Sequence, residues 1–234
     1  MTRVRLILLL IFFAIPVVNS QTVWGGPAQE NLLTQTSDNS QILFDDKMLL
    51  DGYTKKFTGL PLEIILEMIK DETLISYKTA AAVRVFREQY ASKVVSLEKK
   101  GVEKILLRRL NRTDSVFVQV EILHTLGVID RYKYFQWAIP PLIQKLDHYN
   151  TAVNEIAFVG IDNLVNMDNN KKAREARIVF ETLRKVLFLS RNRLAKVTTP
   201  DTKLTQKLKL LRWSIKVLGN QELKRLPKEI IRLL

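Results

Sequence analysis

The chain has 234 residues, 47% of them apolar and 26% charged, and it contains no Cys. That length can bury a substantial core, and that balance argues against wholesale disorder. The lack of Cys excludes disulfides, a thiol nucleophile and lipoprotein-type acylation. Only 8 Gly and 7 Pro are present, too few for the many turns of a sandwich or barrel, so long helices are expected.

Residues 1–20 read as an export signal. Arg3 and Arg5 give a positive start, Leu6 to Val18 is an apolar run, and Val18-Asn19-Ser20 supplies small residues before Gln21. The run is shorter than the ~20 residues needed to span a bilayer. An exported, periplasmic or extracellular protein is the expectation. Residues 21–56 read as a polar arm or linker, broken early by Gly25-Gly26-Pro27. Its short apolar patches, Leu32-Leu33, Ile42-Leu43-Phe44 and Met48-Leu49-Leu50, are candidates to pack on the first helix pair.

From Leu60 onward the apolar period is helical, and a paired pattern recurs. The faintest copy runs from Pro61 to Phe86. Leu62, Ile65, Met68 and Ile69 share one face, Asp71-Glu72-Thr73 makes a corner, and Tyr77, Ala80, Val83 and Phe86 follow. The second runs from Val102 to Ile129, with a corner at Asn111 to Asp114, then Val116, Val120, Leu123 and Leu126. The third runs from Pro140 to Val165, with a corner at Asp147 to Asn150, then Val153, Ile156, Val159, Ile161 and Leu164. Asp168-Asn169-Asn170 ends it. Repetition at this period predicts stacked helix pairs, with Val120 and Ile156 in one continuous interior.

Residues 171–234 add three helices. The first is expected over about 172–190. The second follows Thr199-Pro200, read as N-cap and first residue, and carries Leu204, Leu208, Leu211, Ile215 and Leu218 before Gly219-Asn220. A short tail from Leu226 to Leu234 closes the chain. The net charge of +13 sits here. Residues 171–234 hold 18 Lys+Arg against 5 Asp+Glu, while residues 21–170 hold 17 against 19. A polar cap on the last repeat explains polarity but not its sign, and the excess points to an anionic partner.

Leu110, Asp114, Leu126 and Gly127 in one copy, and Pro140, Leu146, Asp147 and Val153 in the next, resemble HEAT-like repeats over roughly residues 60–170. The chain departs from that pattern where the family often has Arg. Val118 or Gln119 stands there in one copy and Asn154 in the other. The resemblance implies an all-α, right-handed α-solenoid of antiparallel helix pairs that presents its surface to a protein partner. It implies no chemistry. The resulting division is 1–20 signal, 21–56 arm, 57–170 HEAT-like repeats and 171–234 basic closing helices.

Catalytic signatures are missing from the sequence. His124 and His148 lack metal-binding spacing and have no Cys beside them. Glu63 and Glu67 lie one turn apart and read as a solvated face beside Lys70. No nucleophile elbow, P-loop, dinucleotide fingerprint or zincin helix is present. Neither catalytic residues, a metal nor a cofactor is expected. Asn111-Arg112-Thr113 matches a glycosylation acceptor in a corner.

The aromatic cluster Tyr132, Tyr134, Phe135 and Trp137 falls between two repeats, where packing between repeats is the plainer role. Tyr134 and Trp137 are also candidate contacts for a protein partner. Lys207, Arg212 and Lys216 are the candidate contacts for an anionic lipid surface, an acidic surface polymer or an acidic protein. Nucleic acid fits the charge but not export. A nucleic-acid-binding repeat with a misread signal, and a repeat-type enzyme with an unrecognised site, stand as the alternatives.

Overall fold

The structure is a computed structural model that describes residues 46–94, 96–167 and 172–234, all within the unit Gln41–Leu234. The export signal, the arm up to residue 45 and the Asp168-Asn169-Asn170 terminator lie outside the described residues. Among the described residues every regular element is helical.

Eleven α-helices and one 3-10 helix are described. They are α1 (Asp46–Phe57), α2 (Leu62–Lys70), α3 (Ser76–Gln89), α4 (Ser96–Arg112), α5 (Val116–Ile129) and α6 (Arg131–Lys145). Then come α7 (Thr151–Asn166), α8 (Lys172–Leu189), the single turn α9 (Arg191–Leu194), α10 (Thr202–Leu218), the 3-10 helix Asn220–Arg225 and the single turn α11 (Lys228–Ile231).

Their contacts fall into two rows. One row passes from α1 to α3, α5, α7 and α10, each touching the next. The other holds α2 against α4 and α6 against α8. The rows are joined by the sequence-adjacent pairs α2 with α3, α4 with α5 and α6 with α7, and by α8 with α10. Val120 and Ile156 lie in one core cluster, as the repeat pattern requires. The corners fall at 71–75, 113–115 and 146–150, the first and third close to expectation, whereas Asn111 and Arg112 still belong to α4 and the second corner begins only at Thr113.

Sequence explains why these segments stop and start. Asp71 accepts from the Thr73 N–H at 2.8 Å and ends the first pair's leading helix in a tight polar turn. Asp130 caps α6 by accepting from the Lys133 N–H, and Asn150 caps α7 by accepting from the Ala152 N–H. Gly219, with φ of 105°, ends α10 in a conformation open to glycine. The helix Val116–Ile129 is apolar around most of its circumference, matching its contacts with α3, α4, α6 and α7.

Close approach of α5 to α7 rests on two glycines. A Cβ on Gly127 would meet Leu164 Cδ1 at 2.9 Å, and a Cβ on Gly160 would meet the His124 ring at 3.2 Å. Each helix thus receives a side chain of the other where it has none itself. Gly127 serves this approach within the helix.

Four expectations change. The patch Met48-Leu49-Leu50 does pack on the first helix pair, through α3 and with Leu50 buried, but residues 46–56, expected as polar arm or linker, belong to a full helix, α1, in the first row. Pro140 and Pro141 do not open a helix. They sit inside α6, which begins nine residues earlier at Arg131. The carbonyls they leave without a helical donor belong to Gln136 and Trp137, both exposed, so solvent is the alternative donor. The aromatic cluster is therefore helical rather than a connection. At α10 the cap is Asp201, whose carboxylate accepts from the Leu204 N–H at 2.7 Å, rather than Thr199. Val159 is exposed rather than core, on the open face of the α1–α7 row.

Candidate functional site

Two concave features stand out, and the first lies on the row α1, α3, α5, α7. Glu121 is fully buried on α5 and holds two arginines of α3. Arg84 donates Nε to Glu121 Oε1 at 2.9 Å and Nη1 to Asp51 of α1 at 2.7 Å. Arg87 donates Nη1 to the other oxygen, Glu121 Oε2. Burial alone would push the Glu121 carboxyl up, but the Arg87 and Arg84 charges together hold it below its usual range. One turn on, His124 is buried beside the same arginines. Burial, and then the Arg87 charge, lowers its pKa to about 3, so it is neutral at pH 7. A groove of about 450 Å³ opens over this network, edged by exposed Val159 and by the Lys47–Glu155 pair at 2.7 Å. Its charges are matched to one another. Its chemistry is that of a satisfied ionic joint along the row, with an exposed apolar and charged rim.

The second feature lies at the end of α8. The last two turns of α8 bring Arg184, Lys185, Phe188 and Leu189 against Lys224, Arg225, Leu226 and Pro227, around a cavity of about 530 Å³. Phe188 is 48% exposed and Leu189 86%. The Arg191 guanidinium lies 4.2 Å from the Phe188 ring centroid, which adds a cation above the apolar floor. Glu181 and Glu222 engage the two arginines. Arg184 pairs with Glu181 at 3.0 Å, and Arg225 pairs with Glu181 at 2.6 Å and with Glu222 at 2.8 Å. Hydrogen bonds from Arg177 and Arg225 hold the Glu222 carboxyl below its usual range. Lys185 and Lys224 are exposed and form no ion pair among the described residues. The result is an apolar floor with free ammonium groups at its edge.

The residues singled out from sequence fare differently. Tyr134 is 5% exposed, and its hydroxyl donates to Glu103 Oε2 at 2.9 Å, joining α6 to α4. Trp137 is 48% exposed, edge-on to Tyr134 with centroids 6.3 Å apart. Of that pair, only the Trp offers a surface. Lys207 is buried and paired with Asp147, which ties α10 to the corner before α7. Arg212 donates to the carbonyls of Leu234 and Leu233 at 2.9 and 3.1 Å and pins the last residues of the chain. Lys216 is exposed on α10. These residues do not converge on one site. His148 accepts from the Asn150 N–H at 3.1 Å in its corner, and among the described residues no cluster of His, Asp and Glu is arranged to hold a metal.

The cluster at the end of α8 went unremarked in the sequence because its parts are about 40 residues apart. Its one local signal was Phe188-Leu189 at the close of a basic helix. Glu121 had a clearer one, as the lone acid within a mostly apolar helix. No helix of the described residues is long and apolar enough to cross a membrane. The chain matches no family model, no curated protein and no solved structure.

Proposed function

We propose that the chain is an exported, non-enzymatic helical-repeat scaffold of HEAT-like type. In this reading the helix pairs stack as a short α-solenoid. Another protein binds along the open row, and the C-terminal end docks on an anionic surface. The two-row contact pattern supports the architecture. Gly127 and Gly160 support it further, because they let successive second helices pack closely.

The observation that carries the docking half is the pairing state of the basic residues. Several of the cations in the tail are consumed within the fold, including Lys207, Arg212, Arg177 and Arg225. Those left free at Lys185 and Lys224 flank an exposed Phe and Leu. A soluble cap needs neither the apolar floor nor the uniform sign. An acidic lipid bilayer offers both complements, headgroup charge for the ammonium groups and an acyl boundary for Phe188 and Leu189.

Co-sedimentation with vesicles tests this. The full chain should bind vesicles containing phosphatidylglycerol, release them at about 0.5 M salt, where screening is strong, and ignore pure phosphatidylcholine. Equal binding to both compositions, or none to either, would contradict the docking reading.

A further inference from the structure

A second cation cluster lies in the other row, between α2 and α4, and the end of α8 plays no part in it. Ile69 and Ile105 form part of a cavity of about 260 Å³, and Arg109 lines it. Arg109 is 8% exposed, yet it makes no ion pair among the described residues. Its Nη2 donates to Thr79 Oγ1 at 3.3 Å, and its Nε is buried without an acceptor. A buried guanidinium left so poorly matched costs several kcal/mol unless something completes it.

The nearby acids do not complete it. Asp71 uses its Oδ1 on the Thr73 N–H and hydroxyl, at 2.8 and 2.6 Å. Glu72 is taken by Arg112, with Arg108 at 3.9 Å. Three further cations line the same cavity: Lys70, Lys104 and Arg108. Lys70 is paired with Glu67 at 2.5 Å, whereas Lys104 is exposed and forms no ion pair among the described residues. Four cations and one carboxylate, Glu72, thus line the cavity, with Glu67 and Asp71 beside it already engaged by Lys70 and Thr73. The space falls below the ~300 Å³ at which drug-sized ligands begin to fit, so the missing acceptor is a small one. A guanidinium fork presents paired donors to the oxygens of a phosphate or carboxylate, and a lysine adds a point charge.

We propose that this cavity binds a phosphate group, either inorganic phosphate or the terminal phosphate of a small phosphomonoester. Arg109 supplies the fixed fork, Lys104 the mobile charge, and Ile69 and Ile105 exclude water from one side.

Titration calorimetry on the full chain tests it, with inorganic phosphate and glycerol 3-phosphate as probes, against chloride at matched ionic strength. One saturable site is expected. Arg109→Gln should weaken it about tenfold and Lys104→Gln about threefold, roughly 1.4 and 0.7 kcal/mol as affinities convert. Helical circular dichroism checks that both variants fold. Lys104 is exposed, so its variant decides the matter if Arg109→Gln does not fold. Tighter binding of glycerol 3-phosphate supports a site for an organic phosphate, and equal binding supports one for the free anion. Heats no larger than those with chloride, or undiminished affinity in whichever variants fold, would overturn the proposal.

Discussion

Acid should weaken this fold through His124 before it reaches the carboxylates. The imidazole is enclosed between α5 and α7, against Gly160, with Arg87 and Arg84 nearby and the Glu121 carboxylate opposing them. Its folded pKa of about 3 lies below the ordinary value of 6.5. The unfolded chain therefore takes up a proton below pH 6.5 that the folded chain refuses. Stability is complete above pH 6.5 and falls as the pH drops toward 3, by about 1.4 kcal/mol per pH unit. At pH 5 the loss is about 2 kcal/mol, a large fraction of what a domain usually has. Glu121 acts only in the lower part of this range and below it. Its depressed pKa contributes stability above 4.5, which is lost only below that value. Urea unfolding at pH 7.5, 6.5, 5.8 and 5.0 should show the slope, and His124→Gln should flatten it across that range. A slope that survives in His124→Gln would show that the buried imidazole is not its source.

Other consequences follow from the same joint and its neighbours. Glu121→Gln leaves Arg84 and Arg87 buried around a neutral amide and should cost about 3 kcal/mol or more in denaturant unfolding. Gly160→Leu forces the His124 ring away and should cost about 1–3 kcal/mol by overpacking, with helicity retained. Arg131 grips Glu175 with two hydrogen bonds, at 2.8 and 2.5 Å, tying α6 to α8. Arg131→Ala should therefore raise hydrogen exchange in α8 more than in α3. Arg212→Ala should free the last residues at Leu233 and Leu234, seen as faster carboxypeptidase trimming with little change in melting temperature.

The helices were legible because their apolar period is long and their corners are polar. Leu62 to Ile69 and Leu204 to Leu218 announce their faces directly. Pro140-Pro141 misled because proline at a helix start is the commoner local arrangement. Here the freed carbonyls of Gln136 and Trp137 are exposed, so the helix passes through at little cost. The end of the arm was legible only as a patch, not as a helix. Asp46–Phe57 is polar on average, and from Lys47 to Phe57 only Leu50 is fully covered, so its packing on α3 leaves a faint trace in sequence. The basic face was legible as a count but not as a place. Whether a lysine is free or consumed depends on partners such as Asp147, which lies 60 residues from Lys207. Local pattern carries no record of such pairs, so it does not separate exposed Lys216 on α10 from Lys207 on the same helix, or mark Lys185 at the end of α8 and Lys224 in the 3-10 helix as neighbours of one apolar patch.

Docking at the end of α8 is tested most directly by moving the same charge change between two places. Lys185→Glu with Lys224→Glu should cut binding to phosphatidylglycerol-containing vesicles about tenfold or more, since each basic residue near such a surface contributes about 1 kcal/mol. Lys55→Glu with Lys56→Glu, on exposed positions of α1, makes the same net change and should leave most of the binding intact. Equal losses from the two pairs would mean that only total charge matters and that the end of α8 is not a docking site.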